Sequence, residues 1–178
     1  MITVRFHGRG GQGAFTAAKL LGEAVAMYGG KQALAFPSFG PERRGAPVLA
    51  FVKIDDTKIY DRSEVHTCDY VVVLDETLFN PAFFNDLSPH GRVILNTGNK
   101  ELYAAYNSSQ LFTVDASRIA LEILGRPITN TAMLAALSGI SDIVSVEALI
   151  LALENYMNGA ILEKNKQIIP AVIAALLT

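Results

Sequence analysis

The segment His7-Gly8-Arg9-Gly10-Gly11-Gln12-Gly13 places four glycines in six positions, between a short apolar run, Ile2 to Phe6, and a long alanine- and leucine-rich run. Strand-like sequence before and helix-like sequence after demand a backbone that turns sharply and stays bare. Such a turn gathers N–H groups at one point, and the helix adds the positive end of its dipole. One reading is an anion cradle for a nucleotide or phosphorylated group. The other is a tight strand-to-helix turn whose glycines only let the helix pack on the sheet. Gly8, Gly10 and Gly13 fit the spacing of the dinucleotide fingerprint, but that mode also wants an acidic residue about 20 positions on. Here the second strand runs out as Ala35-Phe36-Pro37-Ser38-Phe39, without a carboxylate, and Glu42 follows late beside Arg43 and Arg44. Nicotinamide and flavin binding are therefore disfavoured.

Apolar runs predict strands at Ile2–Phe6, Gln32–Phe36, Val48–Ile54, Tyr70–Leu74, Val93–Leu95 and Leu111–Val114. A first helix is expected from Gln12 to about Tyr28, with Gln12, Thr16, Lys19 and Glu23 on one polar stripe and the other faces buried. Ser117–Leu124 follows, capped by Asp115 or Ser117 and stopped by Gly125 and Pro127. Asn130 can cap a third helix, Thr131–Leu137. Val146, Leu149, Ile150 and Leu153 mark a fourth, and a last begins near Ala160, kinked or interrupted at Pro170. Val48–Ile54 and Lys58–Tyr60, joined by Asp55-Asp56-Thr57, read as an antiparallel hairpin.

After the second strand, Phe36 to Pro47 carries three prolines, two glycines, two phenylalanines and the pair Arg43-Arg44. In an open α/β sheet the carboxyl ends of the strands share an edge, so this loop should lie near the glycine turn. Its arginines suit phosphate or carboxylate by planar, bidentate contact. Arginine and aromatic residues are also enriched at protein interfaces, and docking is the preferred reading. Asp75, ending Val71-Val72-Val73-Leu74, either faces the same cleft or caps a helix from Glu76. His7, His66 and His90 have no metal-ligand spacing with one another or with Cys68, and no serine stands in a nucleophile context.

Of 178 residues, 51% are hydrophobic and 18% charged, against roughly 25% charged in typical soluble domains. The expectation is one domain spanning 1–178, with part of its surface covered by partner chains. No apolar run reaches the ~18–20 residues of a membrane span, and no signal peptide is read at the start. With 15 basic and 17 acidic residues the net charge is −2, which disfavours generic nucleic-acid binding. A single cysteine cannot supply an iron–sulfur cluster, and it fits a cytoplasmic setting.

Taken in order, His7–Gly13, Ala35-Phe36-Pro37-Ser38-Phe39-Gly40-Pro41-Glu42-Arg43-Arg44-Gly45-Ala46-Pro47, Arg62-Ser63 and Asp69–Asp75 resemble the gamma subunit of pyruvate/ketoisovalerate:ferredoxin oxidoreductases. The resemblance covers nearly the whole chain, including Asn130-Thr131, and departs beyond Asn165, where Ile168 to Ile173 replaces a charged, glycine-containing helix. The resemblance joins an α/β fold already read from the strand and helix runs: a single Rossmann-like domain, mostly parallel sheet, helices on both faces and an inserted β-hairpin. It implies membership of a complex with alpha, beta and delta chains, inactive as a lone chain. That complex decarboxylates a 2-oxoacid on thiamine diphosphate with Mg2+, passes electrons through [4Fe-4S] clusters to ferredoxin, and releases the acyl group on coenzyme A. These cofactors belong to the partner subunits, so this chain is expected to bind none by itself, and no catalytic or metal residue is assigned to it. The expected surface, for coenzyme A phosphates or for acidic residues of a partner, comprises Gly8, Arg9, Gly10, Gly11, Gln12, Gly13, Ser38, Phe39, Gly40, Arg43, Arg44 and Gly45. Nucleic acid and membrane are not expected partners. Two alternatives stay open: a free-standing nucleotide-binding α/β protein, and the equivalent chain of an indolepyruvate or 2-oxoglutarate enzyme.

Overall fold

The computed structural model describes residues 1–38, 44–106 and 109–177. Six strands, β1 Ile2–Arg9, β2 Gln32–Pro37, β3 Pro47–Asp55, β4 Cys68–Val73, β5 Leu87–Asn96 and β6 Leu111–Val114, form one sheet in the order β2-β3-β1-β4-β5-β6. β1, β4, β5 and β6 pair in parallel, whereas β3 runs antiparallel to both β1 and β2. Five strands thus share one direction and β3 alone is reversed. All six expected strands are present.

The antiparallel excursion differs from the expected one. β3 pairs with β2, giving a hairpin whose turn is the arginine-bearing connection, while Lys58–Tyr60 forms no strand. β3 is already paired on both sides, with β1 and β2, so no edge is left for Lys58–Tyr60, and Lys53 Nζ holds the following segment by donating to the Asp61 carboxylate at 2.5 Å and to the Asp61 carbonyl at 3.2 Å.

The described residues form five α-helices: α1 Ala14–Glu23, α2 Ala116–Leu124, α3 Asn130–Ile140, α4 Val146–Tyr156 and α5 Gly159–Leu176. α1 passes into a widened π-type turn, Ala24–Tyr28. Of the expected polar stripe, Lys19 is exposed and Thr16 and Glu23 are half-buried, while Gln12 lies in the turn before the helix; Ala17, Ala18, Leu20 and Leu21 are buried. Asp115 caps α2, its Oδ1 accepting from the Arg118 N–H at 2.9 Å. Asn130 is the first residue of α3 rather than its cap, and its Oδ1 accepts from the Thr131 N–H. α5 runs through Pro170 without a break. Pro170 lies exposed, so the carbonyl left without its N–H partner lies on the solvent side.

The two sheet faces are covered differently. Val4, Phe6, Val52, Ile54, Val72, Leu74 and Ile94 face the α-helices and form the main core. Val71, Val73, Val93, Leu95, Phe36 and Phe51 face the other way, under short 3-10 helical turns at Glu76–Leu78, Pro81–Asp86 and Lys100–Tyr106 and under the segment after β3. Helical segments therefore cover both faces, α-helices on one and 3-10 turns on the other. Fully burying a side chain such as Phe6 contributes about 1.5–3 kcal/mol.

Two buried cations rise into the second face. The Arg5 guanidinium donates to Asp86 at 2.7 Å, to the Val65 carbonyl at 3.4 Å and to His7 Nε2 at 3.0 Å. Burial first, and then the charge of Arg5, push the His7 imidazole down to about 3, so it stays neutral and accepts at Nε2. Lys53 is likewise buried, and its ammonium lies 5.7 Å from the centre of the Phe36 ring.

Candidate functional site: the glycine turn and the β2–β3 connection

β1 ends at the carboxyl edge of the sheet, and the chain must reverse there to lay α1 on the core face. Two glycines take the left-handed backbone that this demands, Gly11 at φ 94° and Gly13 at φ 81°. A Cβ at Gly13 would stand 3.1 Å from Asn130 Nδ2, which places the start of α3 against the turn.

The turn is largely knotted to itself and to the β2–β3 connection. Gln12 folds back so that its Oε1 accepts from the Arg9 N–H at 2.7 Å, and the Gln12 N–H donates to the Arg9 carbonyl at 2.9 Å. The Gly10 N–H donates to Ala46 at 2.8 Å, and the Gly45 N–H returns to the Gly10 carbonyl at 3.0 Å. Of the N–H groups expected to converge on an anion, those of Arg9, Gly10 and Gln12 are thus engaged within the protein. Those of Gly11 and Gly13 have no acceptor among the described residues.

Arg9 ties three segments together. Its guanidinium donates to the Gly45 carbonyl at 3.0 Å, to Asp75 at 3.2 Å and to Thr77 Oγ1 at 2.7 Å. Asp75 fulfils both expectations for it. One carboxylate oxygen caps the turn after β4 through the Thr77 N–H and hydroxyl, and the other accepts from Arg9 and from Gln12 Nε2 at 2.8 Å. Burial opposes ionisation of Asp75 most strongly. The hydrogen bonds from Thr77 and Gln12 and the Arg9 charge together outweigh it and hold the carboxyl below its usual range.

Gly8, Arg9, Gly10, Gly11, Gln12, Gly13, Arg44 and Gly45 therefore come together, and Gly10 and Arg44 form a bridge. Arg44 is exposed. Ser38 stands at the other end of the connection, its N–H donating to the Leu49 carbonyl at 2.9 Å and its hydroxyl to Glu64 at 2.6 Å. Phe39, Gly40 and Arg43 lie outside the described residues. Thr77 and the approach of Asn130 to Gly13 escape sequence reasoning; the Asp-x-Thr spacing at 75–77 is the signal that would have found the first.

A parallel-rich sheet with a glycine turn at its carboxyl edge and an arginine-bearing connection beside it defines an α/β domain. The chain belongs to the pyruvate ferredoxin/flavodoxin oxidoreductase family, whose model matches residues 3–175, and stands with its gamma subunits. It is 48% identical over 166 residues to the pyruvate synthase subunit PorC of Methanocaldococcus jannaschii, covering 93% of this chain and 91% of that one. It is 46% identical over 170 residues to the common gamma subunit of the pyruvate/ketoisovalerate oxidoreductases of Pyrococcus furiosus, with the same coverage of each chain, 93% and 91%. The crystal structure of the pyruvate oxidoreductase subunit PORC of Thermotoga maritima superposes with a TM-score of 0.84 at 35% identity, covering 98% of this chain and 96% of that one. In the 2-oxoglutarate:ferredoxin oxidoreductase of Magnetococcus marinus the same fold recurs at a TM-score of 0.80 and 18% identity, within 31% of a longer chain.

Proposed function

We propose that the chain is the gamma subunit of a cytoplasmic 2-oxoacid:ferredoxin oxidoreductase, built with alpha, beta and delta chains, that converts pyruvate or a branched-chain 2-oxoacid to its acyl-coenzyme A. In this reading thiamine diphosphate, Mg2+ and [4Fe-4S] clusters sit in the companion subunits. The single thiol here, Cys68, is buried, and burial raises it to about 11, far from the exposed thiolate that cluster ligation needs. The contribution of this chain is to present a surface.

One observation carries the docking role: both ends of the β2–β3 connection are clamped. Ser38 holds one end through Leu49 and Glu64, and Gly10 and Arg9 hold the other through Gly45 and Ala46. Anchor residues held in place before association lose little conformational freedom when a partner covers them. A share in coenzyme A binding is the second reading, favoured by the N–H groups of Gly11 and Gly13, which have no acceptor among the described residues, beside exposed Arg44. Titrating the assembled enzyme with coenzyme A after Arg43→Ala and Arg44→Ala separates the two. Docking predicts an unchanged apparent affinity with weakened assembly; a weakened affinity with intact assembly assigns the arginines to the coenzyme.

A further inference from the structure

Between residues 55 and 64 every carboxylate is engaged inside the chain. Asp55 meets the N-terminal amine at 3.2 Å, and Asp56 meets Lys31 at 3.2 Å. Asp61 meets Lys53 at 2.5 Å, and Glu64 accepts the Ser38 hydroxyl. The cations of the same stretch are left over: Lys58 and Arg62 are exposed and have no carboxylate partner among the described residues. Tyr60 between them is 78% exposed, with the Lys58 ammonium 5.3 Å from its ring centre.

Beyond Asp55, the end of β3, the segment has no helix or strand, yet it is two-sided. Asp61 and Ser63 turn to Lys53, and Val65 is buried with its carbonyl held by Arg5. Lys58, Tyr60 and Arg62, spaced by two, are left toward solvent. Fixed from below by two cations that are themselves buried in the sheet face, this ridge presents positive charge and one bare aromatic ring on a chain whose net charge is −2.

We infer that Lys58, Tyr60 and Arg62 form a docking ridge for a carboxylate-bearing surface of a companion protein chain, a step that rests on the subunit reading above. Charge complementarity names the occupant: each described acid of this stretch already has a partner, so a carboxylate from outside the stretch is what answers both cations. Tyrosine and arginine are the residue types that most often dominate protein interfaces, and a ridge ordered in advance lowers the cost of association. Nucleic acid is the poorer fit: two cations flanking one ring on a net acidic chain make too few phosphate contacts for stable binding.

The test is zero-length carbodiimide coupling of the assembled complex, which joins an amine only to a carboxylate in contact with it, followed by peptide mapping. Lys58 is expected to couple to an aspartate or glutamate of a companion chain. The double variant Tyr60→Ala with Arg62→Glu is expected to weaken retention of this chain about tenfold or more at moderate salt. Its melting temperature should stay unchanged, since neither side chain is buried. If other lysines of this chain couple to companions while Lys58 couples to none, or if Lys58 is protected by nucleic acid instead, the ridge proposal fails and the subunit reading stands. If the unaltered chain recruits no companion at all, the subunit reading fails first.

Discussion

Replacing Gly13 by alanine tests whether backbone geometry, rather than a ligand, explains the glycines of the turn. Gly13 precedes α1 with φ 81°, and a Cβ there would lie 3.1 Å from Asn130 Nδ2. Holding an L-residue in that region costs roughly 1–2 kcal/mol, and the contact also forces Asn130 to shift. Gly11 isolates the first effect, with φ 94° and nothing within 4 Å of an added Cβ. In urea unfolding at constant slope, Gly11→Ala should lose about 1–2 kcal/mol and Gly13→Ala about 2–3 kcal/mol. Gly13→Ala in an Asn130→Ala background should recover about 0.5–1 kcal/mol of that, the coupling expected of residues in contact. Equal losses at Gly11 and Gly13, with no recovery in the double variant, would refute the steric argument. Unchanged stability at both positions would show that the glycines answer to something other than the fold.

Other consequences concern protons and the lone thiol. Because burial and Arg5 lower His7 from 6.5 to about 3, the unfolded chain takes up a proton that the folded chain refuses across that window. Stability should therefore fall as pH drops below 6.5, with a slope approaching about 1.4 kcal/mol per pH unit, and His7→Gln should flatten that limb in pH-dependent unfolding. The Asp61 carboxyl is lowered to about 2, chiefly by its hydrogen bond from Lys53. Its contribution is present above the ordinary carboxylate range and is lost as pH falls toward 2. The Ser63 amide resonance, reporting on Asp61 at 2.9 Å, should titrate near 2 and move up in Lys53→Met; an ordinary midpoint in the native chain would contradict the pairing. Cys68, fully buried and raised to about 11, should resist iodoacetamide at pH 8 in the folded chain and react at once when unfolded.

The six strands were legible because each is an apolar run bounded by turn residues, and the first helix because its polar stripe repeats at helical spacing. Strand partners were not. Period and burial mark β3 as a strand, but its place between β1 and β2 depends on pairing across the β2–β3 connection, which no local pattern reveals. Lys58–Tyr60 looked like a second hairpin arm because the deciding fact, that β1 and β2 already occupy both edges of β3, is set by residues distant in sequence. Nothing local marks Arg5 and His7 as covered; the 3-10 turn with Phe83, whose ring centre lies 4.4 Å from that of His7, closes over them from a distant part of the chain. At the candidate site the glycines, Arg44 and Asp75 were readable from residue type and spacing. The bond network that engages Arg9, Gly10 and Gln12 was not, since it joins residues 9, 45, 75 and 77 through space.

Adding this chain to an enzyme lacking only its gamma subunit tests the account most directly, with 2-oxoacid- and coenzyme A-dependent reduction of ferredoxin as the readout. The expected result is no turnover by the chain alone, stable incorporation on mixing, and activity that depends on that incorporation. Turnover by the isolated chain, or full activity of the depleted enzyme without it, would contradict the account.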